Sequence, residues 1–209
     1  MTLALDHLVI TAATLEEGVR WCEATLGVMP GPGGKHPLMG THNRLVNISS
    51  ARFPQTYLEI IAIDPDAPAP PHVRWFGLDA RPAARPPQLT HLVLRCADIT
   101  TLRARLLAAG QDPGVTTSAS REAPTGRLQW QISIRDDGAV MADGAPPTLI
   151  QWLGPHPTQT LGDHGITLQS LTLSADAVAL PVTGATLAQE RAMTVILRGP
   201  LGDITLHTP

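Results

Sequence analysis

The chain has 209 residues, 43% of them hydrophobic and 16% charged, with a formal net charge of -3. These values describe a folded chain large enough for one substantial domain or two small ones; they exclude a disordered polymer and the basic footprint of a nucleic-acid binder. Two cysteines, Cys22 and Cys96, are too few for a disulfide framework or a four-cysteine zinc site, so a reduced, cytoplasmic protein is expected.

In chain order, the opening run Leu5-Asp6-His7-Leu8-Val9-Ile10 reads as a strand, followed by the helix N-cap type Thr14 and a helical stretch from Leu15 to Leu26 that Gly27 stops. Strand-like runs follow at about Arg44 to Ser49 and Thr56 to Ile63. The same order then repeats. Leu89-Thr90-His91-Leu92-Val93-Leu94 stands 84 residues after its counterpart, Asp98 takes the cap position, Ile99 to Ala109 the helix, and Gly110 the stop. Runs at Leu128 to Ile134 and Thr148 to Leu153 complete the second copy. Agreement in strand, cap, helix, stop and hairpin order indicates duplication of a βαβββ unit. The expected division is a first module over 1–64, a proline-rich linker over 65–87, a second module over 88–154 and an extension over 155–209. Within the linker, His72 to Leu78 is expected to form a short helix that lays Trp75 and Phe76 on a core. The extension carries strand-like runs at Ile166 to Leu173, Met193 to Arg198 and Ile204 to His207, expected to cover one open side of the paired modules.

Alternation along a strand puts His7 on one face with Leu5 and Val9, and His91 with Leu89 and Val93. The opposite faces, Leu8 with Ile10 and Leu92 with Leu94, are apolar and suit cover by the helices. Each module also carries a polar residue inside its last apolar strand, Glu59 in the first and Gln151 in the second. A carboxylate between Leu58 and Ile60 is costly to bury without a cation or donors, so a shared polar pocket is expected; the alternative is an exposed edge strand.

These residues resemble the glyoxalase-like proteins of the vicinal oxygen chelate superfamily. The resemblance spans about Thr2 to His156 and rests on Leu5-Asp6-His7-Leu8-Val9, Gly40-Thr41-His42-Asn43, Tyr57-Leu58-Glu59, Trp130, Ile150-Gln151-Trp152 and His156-Pro157. It implies an α+β fold in which paired βαβββ modules form a curved, half-open barrel, here with a C-terminal β-rich extension. It also implies a divalent metal (Zn, Ni, Mn or Fe) held by His7, Glu59, His91 and Gln151. Gln151 cannot abstract a proton, which leaves Glu59 as the catalytic group.

The expected function is therefore a metal-dependent lyase, isomerase or dioxygenase acting on a small oxygenated molecule. The alternative is a metal-free binding or sequestering protein that uses the same concave pocket. Candidate substrate-binding residues are His42, Arg44, Tyr57, Arg121 and Trp130, with Arg44 and Arg121 suited to clamp a carboxylate. The expected partner is a small molecule, with a homodimer as a candidate assembly and neither nucleic acid nor membrane involved. His36, His72, His156, His164 and His207 fall in or beside turns or near the end of the chain, and are read as structural or solvated.

Overall fold

A computed structural model describes residues 3–123, 126–189 and 193–209; the first two residues of the first module, with 124–125 and 190–192, lie outside it. Strand β1 (Ala4–Thr11) is followed by helix α1 (Leu15–Leu26), whose first turn is closed by the Glu17 N–H donating to the Thr14 hydroxyl at 3.1 Å. Gly27 ends the helix at φ 71°, a left-handed conformation that glycine adopts without strain. Gly18, Cys22 and Leu26 recur every four residues and form the buried face of α1. Gly18 lets the helix approach closely: a Cβ there would stand 2.4 Å from Ile60 Cγ2. Strands β2 (Lys35–His36), β3 (Thr41–Asn47) and β4 (Tyr57–Ile63) complete the first module.

The second module repeats the plan with β5 (Gln88–Arg95), α2 (Ile99–Ala108), β6 (Val115–Ala123), β7 (Gly126–Ile134) and β8 (Thr148–Trp152). The Asp98 carboxylate caps α2 by accepting from the Thr101 N–H at 3.0 Å. All eight strands form one sheet in the order β2-β3-β4-β1-β5-β8-β7-β6, with the modules joined by antiparallel pairing of β1 to β5. The sheet curls until its ends approach, where Arg121 Nη1 on β6 donates to the Gly33 carbonyl at 3.2 Å.

The outer face of this curved sheet is covered by both helices and by a second, four-stranded sheet. That sheet contains β9 (Thr167–Ser174), β10 (Thr186–Ala188), β11 (Thr194–Gly199) and β12 (Gly202–His207), in the order β10-β9-β11-β12. Leu8, Ile10, Leu58, Ile60, Leu92, Leu94 and Leu149 share one buried cluster with Leu168, Leu171, Leu173, Val195 and Leu197. Each such side chain contributes about 1.5–3 kcal/mol on burial, so this cluster dominates the stability of the fold. The extension thus thickens the outer core. The concave side is covered instead by the linker, whose short turn Trp75–Gly77 seats Trp75 and Phe76 among Val9, Ile61, Val93, Trp130, Ile132 and Ile150.

One feature of β1 departs from simple alternation. Leu5 pairs with Leu94 and His7 with Val93, so Asp6 is an extra residue in a β-bulge. A second bulge falls at the repeat-equivalent position, Thr90, between the pairs Val9–His91 and Ile10–Leu89. Leu5 and Leu89 therefore join the outer core, contrary to their expected place beside the histidines. His7 keeps the concave side, with Asp6 turned toward its ring.

Candidate active site

The concave side encloses a small cavity lined by His7, His36, Asn43, Tyr57, Glu59, Trp75, Phe76, Arg121, Trp130, Ile132, Ile150 and Trp152. Its free space is about 30 Å³, the room of a water or two. Phe76 also borders a larger neighbouring cavity of about 320 Å³ that reaches Gly77, Arg81, Arg85 and Thr90. Phe76 is held at φ 58°, a conformation unfavourable for a bulky side chain, so the linker turn that separates the two spaces carries backbone strain.

At the centre of the small cavity is a chain of charged groups. Asp6 is fully buried and accepts from His7 Nδ1 at 2.7 Å and from the Trp152 indole Nε1 at 2.9 Å. His156 Nε2 lies 3.1 Å from the other side of the same carboxylate. Arg95 Nη1 joins this group, 3.2 Å from His156 Nε2 and 3.5 Å from the same Asp6 oxygen, while His156 Nδ1 accepts from the Thr158 N–H at 3.3 Å. On the far side of the His7 ring, Nε2 stands 3.4 Å from Glu59 Oε2, while Glu59 Oε1 accepts from Asn43 Nδ2 at 2.5 Å. Tyr57 stacks on His7 with ring centroids 4.6 Å apart.

The electrostatics follow from this arrangement. Burial alone would depress the His7 pKa, but the Asp6 and Glu59 carboxylates on either side raise it to about 9. Burial would raise both carboxylates. For Asp6, hydrogen bonds from His156 and His7 outweigh it and hold the group well below the usual range. For Glu59, His7 and, more weakly, Asn43 act in the same direction. At neutral pH the site is therefore Asp6⁻, His7⁺ and Glu59⁻. Beside it, His36 is neutral: burial pushes it down to about 4, and its ring contacts Thr41 Oγ1 at 3.1 Å.

The four residues expected to share a metal do not come together. His91 is buried on β5, but Nδ1 accepts from the Met141 N–H at 3.1 Å and Nε2 sits 2.9 Å from Thr148 Oγ1. Both nitrogens are thus engaged within the second module, and burial lowers the ring's pKa to about 3. Gln151 points the other way. Its Oε1 accepts from the Ile99 N–H at 2.9 Å and so satisfies a free donor at the start of α2.

Strand register explains the displacement. In the first module Val9, two residues after His7, pairs with Glu59; in the second Val93, two residues after His91, pairs with Thr148. Thr148 is therefore the counterpart of Glu59. Gln151 lies three positions further along, an odd step that moves it to the opposite face. With both His91 nitrogens engaged and Gln151 on the opposite face, only His7 and Glu59 of the four expected ligands line the cavity. Among the described residues, no group of three or more His, Cys, Asp or Glu side chains is arranged to hold a metal ion.

Of the expected substrate-binding residues, Tyr57, Arg121 and Trp130 line the cavity. His42 and Arg44 do not. They alternate on β3 with the inward-facing Asn43, so Arg44 is exposed and His42 is half-buried away from the cavity. Sequence reasoning also missed Asp6, His36, Asn43, Trp75 and His156. His36 and His156, expected to be structural or solvated, are buried at 6% and 5% exposure and take part in the site. The signal for Asp6 is a carboxylate next to a histidine inside an apolar strand, although simple alternation would turn it to the face opposite His7.

Comparison with known proteins agrees with the fold. A family model described as a glyoxalase-like domain matches residues 5–186. The crystal structure of a hypothetical protein from Staphylococcus aureus is similar at a TM-score of 0.61 and 15% identity, covering 98% of this chain and 85% of that one. The methylmalonyl-CoA epimerase of Streptomyces coelicolor, in complex with 2-nitronate-propionyl-CoA, gives a TM-score of 0.47 at 14% identity over 74% of this chain and 99% of that one. The corresponding enzyme from Mycobacterium tuberculosis gives 0.41 at 16% identity, over 75% of this chain and 90% of that one. No curated protein sequence matches. No helix among the described residues is long and apolar enough to cross a membrane. With its family model spanning most of its length and two βαβββ modules curled around one cavity, the chain belongs to the glyoxalase-like domain family of the vicinal oxygen chelate superfamily.

Proposed function

We propose that the cavity is the active site of an enzyme that moves a proton at carbon next to a carbonyl group in a small oxygenated substrate. The observation that carries this reading is Glu59. It is a buried, ionised carboxylate on the cavity wall, oriented by Asn43 on one oxygen and by His7 near the other. Glu59 takes the proton from carbon, and the C–H electron pair moves to the carbonyl oxygen to give an enolate. His7⁺ is the nearest cationic donor to Glu59, and Asp6 keeps it protonated and oriented. Return of the proton to the same or a neighbouring atom gives exchange or isomerisation with no change in oxidation state. Only two of the four expected ligands, His7 and Glu59, line the cavity, so no step is routed through a metal.

The test is deuterium incorporation. Pyruvate and hydroxyacetone are incubated with the protein in D₂O, and loss of their C–H signals is followed by proton NMR. Catalysed exchange is expected for at least one of them, and Glu59→Gln should slow it by about 10²-fold or more. Exchange unaffected by Glu59→Gln would overturn the assignment. A sequestering role is the second reading, favoured by the small free space and by the depressed pKa of Glu59, which makes it a weak base. It predicts ligand binding without exchange.

A further inference from the structure

From Arg121 and Trp75 we infer that the ligand of this cavity is a short-chain carboxylate. The inference rests on the reading of the cavity as a substrate site, and it names the chemical class. Arg121 is only 8% exposed and lines the cavity. Its hydrogen bonds among the described residues are made through Nη1 alone, to the carbonyls of Gly33 at 3.2 Å and Glu122 at 3.4 Å. Nε and Nη2 remain for a partner. No carboxylate among the described residues stands within ion-pair distance of the guanidinium. Glu59 shares the cavity and acts on the guanidinium only from beyond contact. Taking a guanidinium out of water without a contacting counter-charge is expensive, and two free N–H groups in a fork match the two oxygens of a carboxylate.

The second observation is independent of the first. Trp75 lines the same cavity from the linker, is 5% exposed, and its indole Nε1 is buried with no hydrogen-bond partner. An unpaired buried N–H destabilises the fold, and an acceptor on a ligand removes that cost. The cationic fork and the indole with the unmet donor thus belong to residues that line one space, shared with the charged Glu59 and His7 and walled elsewhere mainly by aromatic and apolar side chains. The free volume of about 30 Å³ selects a short molecule, and even that must displace the Phe76 turn toward the neighbouring cavity. The Glu59–His7 pair then faces the carbon skeleton beside the carboxylate.

The experiment compares pyruvate with pyruvamide, its uncharged analogue, by ligand-observed NMR titration of the full chain. Pyruvate is expected to bind at least about tenfold more tightly than the amide. Arg121→Met should erase that preference, and Arg121→Lys should restore only part of it because the fork is lost. Trp75→Phe, which keeps the aromatic wall and removes the N–H, should weaken pyruvate binding severalfold. Circular dichroism confirms that each variant is folded, and Trp75→Phe remains informative if the Arg121 variants are not. Equal binding of acid and amide, no binding of pyruvate to the wild type, or unchanged binding in both Arg121→Met and Trp75→Phe overturns the proposal. Inorganic phosphate competing as well as acetate would reduce the site to a general anion hole and also overturn it. Failure of the catalytic reading looks different. Pyruvate would then bind with the stated preference yet exchange no deuterium, whereas exchange of hydroxyacetone without pyruvate binding would leave the catalytic reading and remove this one.

Discussion

Replacing Asp6 with Asn removes a buried negative charge while keeping shape, and its consequence can be worked out from the site. His7 has a folded pKa of about 9 against 6.5 for the free side chain, and the difference corresponds to about 3 kcal/mol of preference for the charged ring. Asp6 and Glu59 share that preference, with the hydrogen bond to Asp6 at 2.7 Å the shorter of the two. About 2 kcal/mol is assigned to Asp6 on that basis. The Asn amide also cannot accept from all of His7, Trp152 and His156 at once, which adds about 1 kcal/mol. Asp6→Asn should therefore cost about 3 kcal/mol near pH 6, equivalent to a fall of about 6–12 °C in Tm for a chain of this size. The sign with pH is fixed by linkage. A group whose pKa is raised on folding stabilises fully below its unfolded value and loses that contribution as pH rises through the folded value. The cost of Asp6→Asn should shrink to about 1 kcal/mol by pH 10, when His7 is neutral in the wild type. Urea unfolding of both proteins at pH 6, 8 and 10 measures this directly. A cost that stays constant across that range would refute the claim that Asp6 acts by holding a charge on His7.

Further outcomes follow from neighbouring features. Gln151→Ala should destabilise the fold by about 1 kcal/mol through the lost bond to the Ile99 N–H, with pyruvate binding unchanged in the same NMR titration. Gly18→Ala should destabilise by about 1–3 kcal/mol in thermal unfolding, because the new methyl meets Ile60 and outweighs the gain in helix propensity. Phe76→Ala should lower stability by about 3 kcal/mol and increase the on-rate of pyruvate, since it removes the wall between the two cavities. The wild type should also lose stability as pH falls below about 6.5, because His36 and His91 are neutral in the fold down to about 4 and about 3, while the unfolded chain takes up their protons. Calorimetric Tm values between pH 4 and 8 check this.

The duplication, both helices with their caps, and the concave position of His7 were legible in the sequence, because each depends on local patterns of cap, period and stop. The site was legible only in its first half. Two features were hidden, and both concern register. The bulge at Asp6 inserts one residue into β1, and nothing in the side-chain pattern marks it, so alternation by itself gives no reason to bring Asp6 to the concave side. In the second module, matching Gln151 to Glu59 relied on apolar neighbours that look alike in both strands. The connection through Met141–Asp143 and Pro147 sets the actual partner three residues earlier, at Thr148. Long-range contacts of the kind made by Trp75 and His156 are decided by tertiary packing, for which a single sequence holds no local signal.

Duplicated folds start with two equivalent halves, and here the halves have diverged in a definite way. Asp6 and Glu59 around His7 correspond to Thr90 and Thr148 around His91. A cavity with a matching acid in each half would present a small planar ligand to both along the dyad, and either face of a trigonal carbon would meet a base. With the carboxylates kept in one half and Phe76 packed 5.5 Å from the His91 ring in the other, that equivalence is gone. A molecule in the cavity meets the Glu59 carboxylate from the first module only, while the second module contributes the Arg121 guanidinium. For the proton transfer proposed above, handedness at a prochiral carbon follows from the loss of symmetry between the two modules, with no additional specificity residue needed.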